Sequence, residues 1–424
     1  MESTTELEQR ILRRVEANRD RIIGLCQDLV RIPSVVGNEG PVQAFVAERL
    51  RAMGLEVVVF EPDKAALAQH PGYVEVPYDY RGRPNVVGIL PGVDGGRSLI
   101  LNGHVDVVSP EPLERWQYDP WGGQIVGNRL YGRGACDMKA GLAAAIGAVE
   151  SIGDEGLRPQ GRLIVQSVVE EEAGGGGTLA CLMEGYTADG FANPEPNEPI
   201  VVAMAGILYF RVRVVGKTTH AGNAHLGVNA VGKMNKIYDA LMALDQERAL
   251  TRRYPLFEAG WSGRSCHLNV GTYRAGDWPS TVAGFAEMEC RISFIPGETE
   301  EEIKTLVQAT VDAVAREDPW LCEVPPTVEW FGWHTAPWVQ DPEDPFIQCF
   351  KTAATDALPR KVAFAGAAAG LDTRFAGQFG IPAFACGPTG GNIHGSDEYV
   401  EVPSIVDTAK ALALLVNRWC GLVE

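Results

Sequence analysis

Residues 98–108 read SLILNGHVDVV, a short apolar run that ends in a histidine and an aspartate. The run has the length and composition of a buried β-strand, and His104 and Asp106, two positions apart, share one face of it. Polar residues where such a strand passes into a loop are typical of ligand sites in open α/β sheets. A carboxylate beside a histidine can also fix the imidazole for metal binding. Taken alone, the pair is also compatible with a structural polar contact.

Acidic residues recur at similar junctions further along the chain. Asp137 lies in GRGACDMKAG, just before a helical stretch, where an aspartate can instead serve as a helix cap. Glu170, Glu171 and Glu172 directly follow the apolar strand RLIVQSVV and precede four glycines. Three adjacent acids cost little on an exposed loop, but in a cleft a cation must offset their charge. Glu195 lies between prolines in the segment NPEP, which stiffen the backbone around it.

Two histidines complete the set of candidate ligands and catalytic groups. His394 lies in GPTGGNIHGSDEY, after another apolar strand, and His220 lies in KTTHAGN. Histidines and carboxylates at strand ends form a mixed nitrogen and oxygen donor set, which suits zinc, cobalt or manganese. The carboxylates are numerous enough for two cations. The sequence places no serine or cysteine as a nucleophile, and for Cys136, the nearest thiol, it favours a packing role.

The chain around these motifs alternates between helical and strand patterns, with a change of texture near residue 205. The first region predicts a layered α/β domain, with helices at 5–31, 41–53 and 138–152 and strands at 55–60, 85–90, 98–108 and 162–169. The middle region predicts a small α+β domain, with strands at 207–215 and 282–294 and helices at 228–248 and 298–316. From about residue 324 the α/β pattern returns, with helices at 345–357 and 403–418 and strands near 361–364 and 381–386.

We therefore predict a catalytic domain formed by residues 1–204 and 324–424, interrupted by an inserted domain at 205–323. The alternating strand at 207–215 offers an edge that could pair with a second copy of the chain. Closure of one domain on the other is expected, because His220 falls in the inserted domain.

Composition narrows the function classes further. The 424 residues are 46% hydrophobic and 22% charged, values that are ordinary for a soluble globular protein. The net charge of −18 argues against binding to nucleic acid or to anionic membranes. No apolar stretch approaches the ~20 residues of a membrane span, and residues 1–21 lack the apolar core of a signal peptide. The nine cysteines are scattered without a CxxC pair. These features predict free thiols and a cytoplasmic protein.

Taken in order, GHVDVV, GRGACDMKAGLAA, VVEEEAGG, NPEP, THAG and IHGSDEY closely resemble the M20 family of metallopeptidases and deacylases. That family includes acetylornithine deacetylase, succinyl-diaminopimelate desuccinylase, aminoacylase and carboxypeptidase G. The resemblance extends from about Leu29 to Val402. It implies a zinc-exopeptidase-like catalytic domain, with a central mixed sheet flanked by helices, and an inserted α+β lid or dimerisation domain. A homodimer formed through that inserted domain is the corresponding expectation.

The resemblance also implies roles for individual residues. His104 and Glu195 would bind one zinc ion, Glu172 and His394 would bind the other, and Asp137 would bridge the two. A cis peptide bond is expected directly after this bridging aspartate.

The remaining roles are catalytic or concern substrate binding. By the same resemblance, Asp106 would orient the first histidine ligand, Glu171 would act as the general base, and His220 would stabilise the oxyanion. Two residues of the inserted domain, Arg291 and Asn269, would bind the substrate. The chain departs from the usual family pattern at Asn223 and Leu371, so a polar contact to substrate is missing or moved.

These observations predict a dinuclear-metal amidohydrolase that removes a small acyl group, of the acetyl, formyl or succinyl type, from the nitrogen of an amino acid or related amine. Zinc is the expected metal, with cobalt or manganese as alternatives. Two alternative activities stay open. One is exopeptidase action on a dipeptide or a C-terminal residue. The other is deformylation of a formylaminopyrimidine, since the long connection at 61–84 resembles such enzymes. A metal-free binding protein is disfavoured because every ligand is present.

Overall fold

The computed structural model describes residues 4–93, 95–196, 199–260 and 262–424. The chain divides into two compact units. The first contains Met1–Val202, Gln340–Phe364 and Leu371–Glu424, and the second contains Ala203–Val339 and Ala365–Gly370. No helix in the described part of the chain is long and apolar enough to span a membrane.

The helices of the described residues are α1 (Thr4–Ala17), α2 (Arg19–Arg31), α3 (Gly40–Ala52), α4 (Lys64–Leu67), α5 (Ala140–Asp154), α6 (Gly176–Met183), α7 (Ala230–Thr251), α8 (Pro255–Glu258), α9 (Glu300–Glu317), α10 (Pro319–Glu323), α11 (Pro345–Ala357), α12 (Thr373–Gln378) and α13 (Val402–Cys420).

The strands are β1 (Glu56–Phe60), β2 (Asn85–Leu90), β3 (Leu99–His104), β4 (Gln124–Val126), β5 (Arg129–Tyr131), β6 (Arg158–Pro159), β7 (Leu163–Val168), β8 (Phe191–Asn193), β9 (Ile200–Met204), β10 (Gly206–Val215), β11 (Leu268–Ala275), β12 (Phe285–Phe294), β13 (Thr327–Thr335), β14 (Trp338–Val339), β15 (Phe364–Ala367), β16 (Ala383–Ala385), β17 (Gly390–Gly391), β18 (Tyr399–Glu401) and β19 (Leu422–Val423).

The main sheet is mixed and flanked by helices, which confirms the predicted fold class. Its strand order is β1-β2-β7-β3-β8-β16-β9-β14, and β15 also pairs with β9. The central strands β7, β3, β8 and β16 run parallel to one another, whereas β1 and β2 are antiparallel. Every residue of β3 and β7 is buried, as expected for parallel strands covered on both faces. His104 is the last residue of β3, and the acidic segment from Glu170 to Glu172 follows the carboxyl end of β7.

Helix α5 packs tightly in this first unit because its sequence is rich in small residues. Ala140 to Val149 are all buried. A Cβ atom on Gly147 would lie 2.6 Å from the side chain of Ile22, so α2 approaches α5 closely at this point. The predicted helix at 5–31 is divided into α1 and α2 at Asn18. The Asn18 side chain does not cap α2, and its amide donates to the hydroxyl of Ser151.

The second unit contains a four-stranded antiparallel sheet in the order β11-β12-β10-β13. Side chains of this sheet and of the helices α7 and α9 form one apolar core. Helix α9 begins with a capping box, in which Thr299 and Glu302 each bond to the other's backbone N–H.

Two details of this unit differ from the expectations drawn from the sequence. The strand β10, expected at an edge, is internal, because it pairs with β12 on one side and β13 on the other. β13 lies beyond residue 323, where the α/β pattern was expected to return. Its residues alternate in burial and supply the second partner that β10 needs. The free edges of this sheet therefore belong to β11 and β13.

Candidate metal and catalytic site

His104 ends the buried strand β3 and is itself 1% exposed. Its Nδ1 lies 2.9 Å from the backbone oxygen of Asp106. Because a carbonyl oxygen can only accept, Nδ1 carries a hydrogen, and Nε2 is the ring nitrogen that faces the neighbouring carboxylates and could bind a metal ion. Around that nitrogen lie Asp137 Oδ1 at 3.2 Å and Glu195 Oε1 at 3.5 Å.

Asp106 makes a different set of contacts from the one expected. Its backbone oxygen, not its carboxylate, is the nearer partner of His104, since Asp106 Oδ1 lies 3.6 Å from Nδ1. The carboxylate accepts the backbone N–H groups of Glu171 at 3.1 Å and Glu172 at 3.0 Å. Burial raises the pKa of Asp106 to about 7, while the neighbouring imidazole acts in the opposite direction. Asp106 thus joins the end of β3 to the acidic segment after β7.

Asp137 lies between the two histidines. Its Oδ1 is 3.2 Å from His104 Nε2, and its Oδ2 is 3.5 Å from His394 Nε2. Although burial favours the neutral acid, hydrogen bonds with both imidazoles hold the pKa of Asp137 below its ordinary value. The peptide bond from Asp137 to Met138 is cis, as the family resemblance implies.

The three consecutive glutamates point in different directions because the backbone turns sharply among them. Glu172 Oε2 lies 3.0 Å from His394 Nε2. Glu171 is 8% exposed, and its Oε2 lies 3.9 Å from His104 Nε2. Glu170, at a left-handed φ of 70°, turns away toward the connection at 61–84. The three glutamates therefore do not form an exposed loop.

Glu195 reaches the cluster from a segment that packs against the start of α5. A Cβ atom on Gly141 would lie 1.9 Å from the backbone oxygen of Pro194, so only glycine permits this approach. The Glu195 side chain is buried, and its Oε1 has no hydrogen-bond partner among the described residues. Burial and the neighbouring Asp137 raise the pKa of Glu195 well above its ordinary value.

The cluster fits divalent metal ions. One ligand atom each from His104, Asp137 and Glu172 lie within 4.8 Å of one another. Glu195 and His394 adjoin the same atoms, so the five predicted ligands meet in the first unit. Nitrogen and carboxylate donors are those that zinc, cobalt and manganese prefer. A bound cation would compensate both the dense negative charge and the buried Glu195 oxygen, which accepts no hydrogen bond from the described residues.

Three predicted site residues lie in the second unit. His220 is exposed, and its Nδ1 accepts the backbone N–H of Gly222 at 3.1 Å. Asn269 on β11 and Arg291 on β12 are cross-strand partners. Arg291 donates to the backbone oxygen of Ala368 at 2.8 Å, and burial lowers the pKa of its guanidinium.

Cys136 matches the packing role favoured by the sequence. It is fully buried, and its Sγ would lie 2.6 Å from a Cβ atom on Gly390. Burial raises the pKa of this thiol well above its ordinary value, so the nucleophilic thiolate is disfavoured.

The tyrosines of the connection at 61–84 divide into one exposed and two buried residues. Tyr78 is 42% exposed, whereas Tyr73 and Tyr80 are buried. The hydroxyl of Tyr80 donates to Glu170 Oε1 at 2.7 Å. Burial raises the pKa of Glu170 to about 8, although the hydrogen bond from Tyr80 and the charge of Arg83 act in the opposite direction. The connection therefore contacts the acidic segment through Tyr80, whose hydrogen bond helps to hold Glu170 in place.

Replacing Tyr80 with phenylalanine is expected to lower the free energy of unfolding by about 1–3 kcal/mol. The substitution leaves Glu170 Oε1 buried without its donor, and the other carboxylate oxygen, Oε2, already has no hydrogen-bond partner among the described residues. Urea unfolding followed by circular dichroism measures the change. Tyr78→Phe is the matched control and should leave stability unchanged. Equal stability of Tyr80→Phe and the wild type would contradict the role of this hydrogen bond.

Sequence reasoning missed Glu398, whose carboxylate contacts the Asp137 segment. The acid lies in the motif IHGSDEY, four residues after His394. Its proximity to His394 in that motif was the one signal of its importance, but the motif alone does not indicate which groups its carboxylate contacts. Its partners become visible only when the two segments are brought together in the fold.

Comparison with known proteins identifies the family of this chain. A model of peptidase family M20/M25/M40 matches residues 100–418. N-formyl-4-amino-5-aminomethyl-2-methylpyrimidine deformylase of Halalkalibacterium halodurans is 28% identical over 98% of this chain and 98% of that protein. Succinyl-diaminopimelate desuccinylase 2 of Shewanella loihica is 27% identical over 93% of this chain and 99% of its own length. The di-peptidase Dug1p of Saccharomyces cerevisiae shares the fold, with a TM-score of 0.77, 14% identity and coverage of 97% and 98% of the two chains.

Proposed function

Since the chain belongs to peptidase family M20/M25/M40, we propose that it is a metal-dependent amidohydrolase that removes a small acyl group from the nitrogen of an amino acid or related amine. The observation that carries the proposal is the position of Asp137, whose two oxygens face the Nε2 atoms of His104 and His394. A carboxylate in that position is suited to hold two cations at once.

In this proposal His104 and Glu195 would hold one divalent ion, Glu172 and His394 would hold the other, and Asp137 would serve both. Zinc is the proposed metal, and cobalt or manganese would suit the same donors. When bound, the ions would polarise the amide carbonyl and lower the pKa of a water molecule towards ~7. Two ions carry +4, and three ligand carboxylates carry −3, so the buried charge nearly cancels.

Glu171 is the proposed general base. It is buried, it approaches the same Nε2 atom of His104 as the ligands do, and the carboxylate of Asp106 holds its backbone. A carboxylate in that place can take a proton from the attacking water and deliver it to the leaving amine nitrogen. The bond that breaks is the amide C–N bond, and the products are a carboxylic acid and an amine.

The second unit supplies the remaining proposed roles. His220 would donate a hydrogen bond to the developing oxyanion, and Arg291 and Asn269 would bind the substrate. A homodimer formed through this unit is part of the proposal. We also propose a cytoplasmic location, which all nine cysteines support by being free.

Deformylation of an aminopyrimidine is the second candidate activity. Two deformylases for N-formyl-4-amino-5-aminomethyl-2-methylpyrimidine match nearly the whole chain at 28% identity. Exopeptidase action is less favoured, because the full-length curated relatives reported above act on small acyl groups by name.

Steady-state kinetics over a substrate panel test the proposal. The metal-loaded protein is offered N-formyl, N-acetyl and N-succinyl amino acids, a formylaminopyrimidine, and dipeptides. The best acyl compound is expected to have a kcat/KM at least about tenfold above that of any dipeptide, a difference of ~1.4 kcal/mol in transition-state binding. Cleavage of dipeptides with no acyl release would favour the exopeptidase alternative. Catalytically inert protein with two bound metals would refute both.

A further inference from the structure

We propose that Glu398 is a positioning residue. It fixes the backbone of Asp137 and, through Arg133, the loop that carries His394, so that both ligand segments keep the spacing that metal ions need. The inference rests on the proposed function, since it takes Asp137 and His394 as metal ligands. Among the described residues, the hydrogen-bond partners of Glu398 are Arg133 and backbone N–H groups, not the side chain of a proposed ligand.

Both oxygens of Glu398 are fully used. The residue is 0% exposed. Its Oε1 accepts the backbone N–H groups of Cys136 at 2.9 Å and Asp137 at 3.0 Å. Its Oε2 accepts the backbone N–H of Gly134 at 3.1 Å and Nη1 of Arg133 at 2.7 Å. All four partners are donors, so the geometry requires an acceptor on each oxygen.

The contact matters for the site because the segment before Asp137 is irregular. Gly134 has a left-handed φ of 77°, and the N–H groups of Gly134 and Cys136 that Glu398 accepts are buried, where an N–H group needs a partner. The hydrogen bond from the backbone N–H of Asp137 to Glu398 fixes the backbone of Asp137, and with it the position of its Cβ atom. The Asp137 carboxylate then lies between the two imidazoles.

Arg133 extends the same support to the other ligand loop. It is 2% exposed, and its Nη2 donates to the backbone oxygen of His394 at 3.3 Å. That loop has three left-handed residues that are not glycine, Asn392, His394 and Asp397, with φ of 57°, 61° and 54°. Such a backbone persists only where its surroundings hold it. The Arg133–Glu398 ion pair therefore links the two ligand loops inside the protein.

The variant Glu398→Gln tests this with almost no change in volume. Its NH₂ group must face two N–H donors in either orientation, because all four neighbours donate. We expect the dissociation constant for Zn²⁺ or Co²⁺ to rise about 10–100-fold, the usual effect of losing a partner that orients a metal ligand. Calorimetric titration of the metal-free protein with the metal alone measures it. The visible absorption spectrum of the Co²⁺ form, which reports ligand geometry, should also change.

Glu298→Gln is the matched control. This glutamate, in the second unit, likewise combines an ion pair with Arg248 at 2.8 Å and a backbone N–H, that of Ile295 at 3.1 Å. It should lose some stability and keep wild-type metal affinity and the wild-type Co²⁺ spectrum.

Wild-type metal affinity and spectrum in Glu398→Gln would overturn the inference, even if its melting temperature fell. Should that variant fail to fold, Arg133→Lys carries the test. Lysine keeps the positive charge beside Glu398 but lacks the forked group that also reaches His394. Weaker metal binding and an altered spectrum are expected, and unchanged values would overturn the inference. Neither measurement uses a substrate, so a wild-type protein that hydrolyses no acyl compound contradicts the proposed function alone.

Discussion

Replacing Glu171 with glutamine is expected to lower kcat for acyl release by about 10²–10⁴-fold, because the amide cannot accept the proton of the attacking water. The substitution keeps the size of the side chain. It also keeps the backbone hydrogen bond to Asp106, which is 3.1 Å long. Metal content should therefore stay at the wild-type level, which elemental analysis of the purified variant will show.

Glu170→Gln provides a control one residue away. Glu170 carries the same carboxylate, but it turns toward Tyr80 and away from the histidines. It should retain most of the wild-type kcat. Near-normal turnover by Glu171→Gln, or an equal loss in both variants, would show that Glu171 is not the general base.

Removal of divalent metal by a chelator is expected to reduce acyl release by at least about a thousandfold, ~4 kcal/mol in the barrier. Addition of Zn²⁺ or Co²⁺ should restore it. The physical reason is that the residues around His104 are acids and histidines, which can bind a metal ion but cannot themselves act as the Lewis acid that polarises the amide carbonyl. The metal-loaded protein should also melt at a higher temperature, since a ligand at 100 times its Kd stabilises the fold by ~2.7 kcal/mol.

His104→Ala separates metal effects from damage by the chelator. This variant should be inactive, and added metal should raise its melting temperature less than that of the wild type. Wild-type kcat in protein shown by elemental analysis to hold no metal would contradict the metal-dependent mechanism.

Much of the site could be predicted because its residues follow recognisable strands. The run before His104 is mostly apolar, and so is the run before Glu170, as is typical of parallel strands buried on both faces. The ends of such strands meet at one edge of the sheet, so the residues beyond them were expected to meet. The structure brings His104 and Glu172 together as that reasoning implied, and Asp137, which precedes α5 and was expected there from the family resemblance, lies with them.

What the sequence could not provide were contacts between segments far apart in the chain. Nothing local to Tyr80 indicates that its hydroxyl lies against Glu170, and nothing local to Glu398 indicates three backbone donors. The strand β13 was missed for a related reason. Its alternation is clear only once β10 is known to need a partner on that side. Sheet edges depend on pairing, which a single alternating segment does not specify.

Asp106 serves two neighbours at once, with its carbonyl on His104 and its carboxylate on the acidic segment. An engineer who wishes to change the preferred cation should therefore leave this aspartate untouched, because any replacement would disturb a ligand and the proposed base together. Glu195 reaches the cluster from a separate proline-flanked segment, so among the proposed ligands it is the one whose exchange is expected to disturb the backbone of the others least.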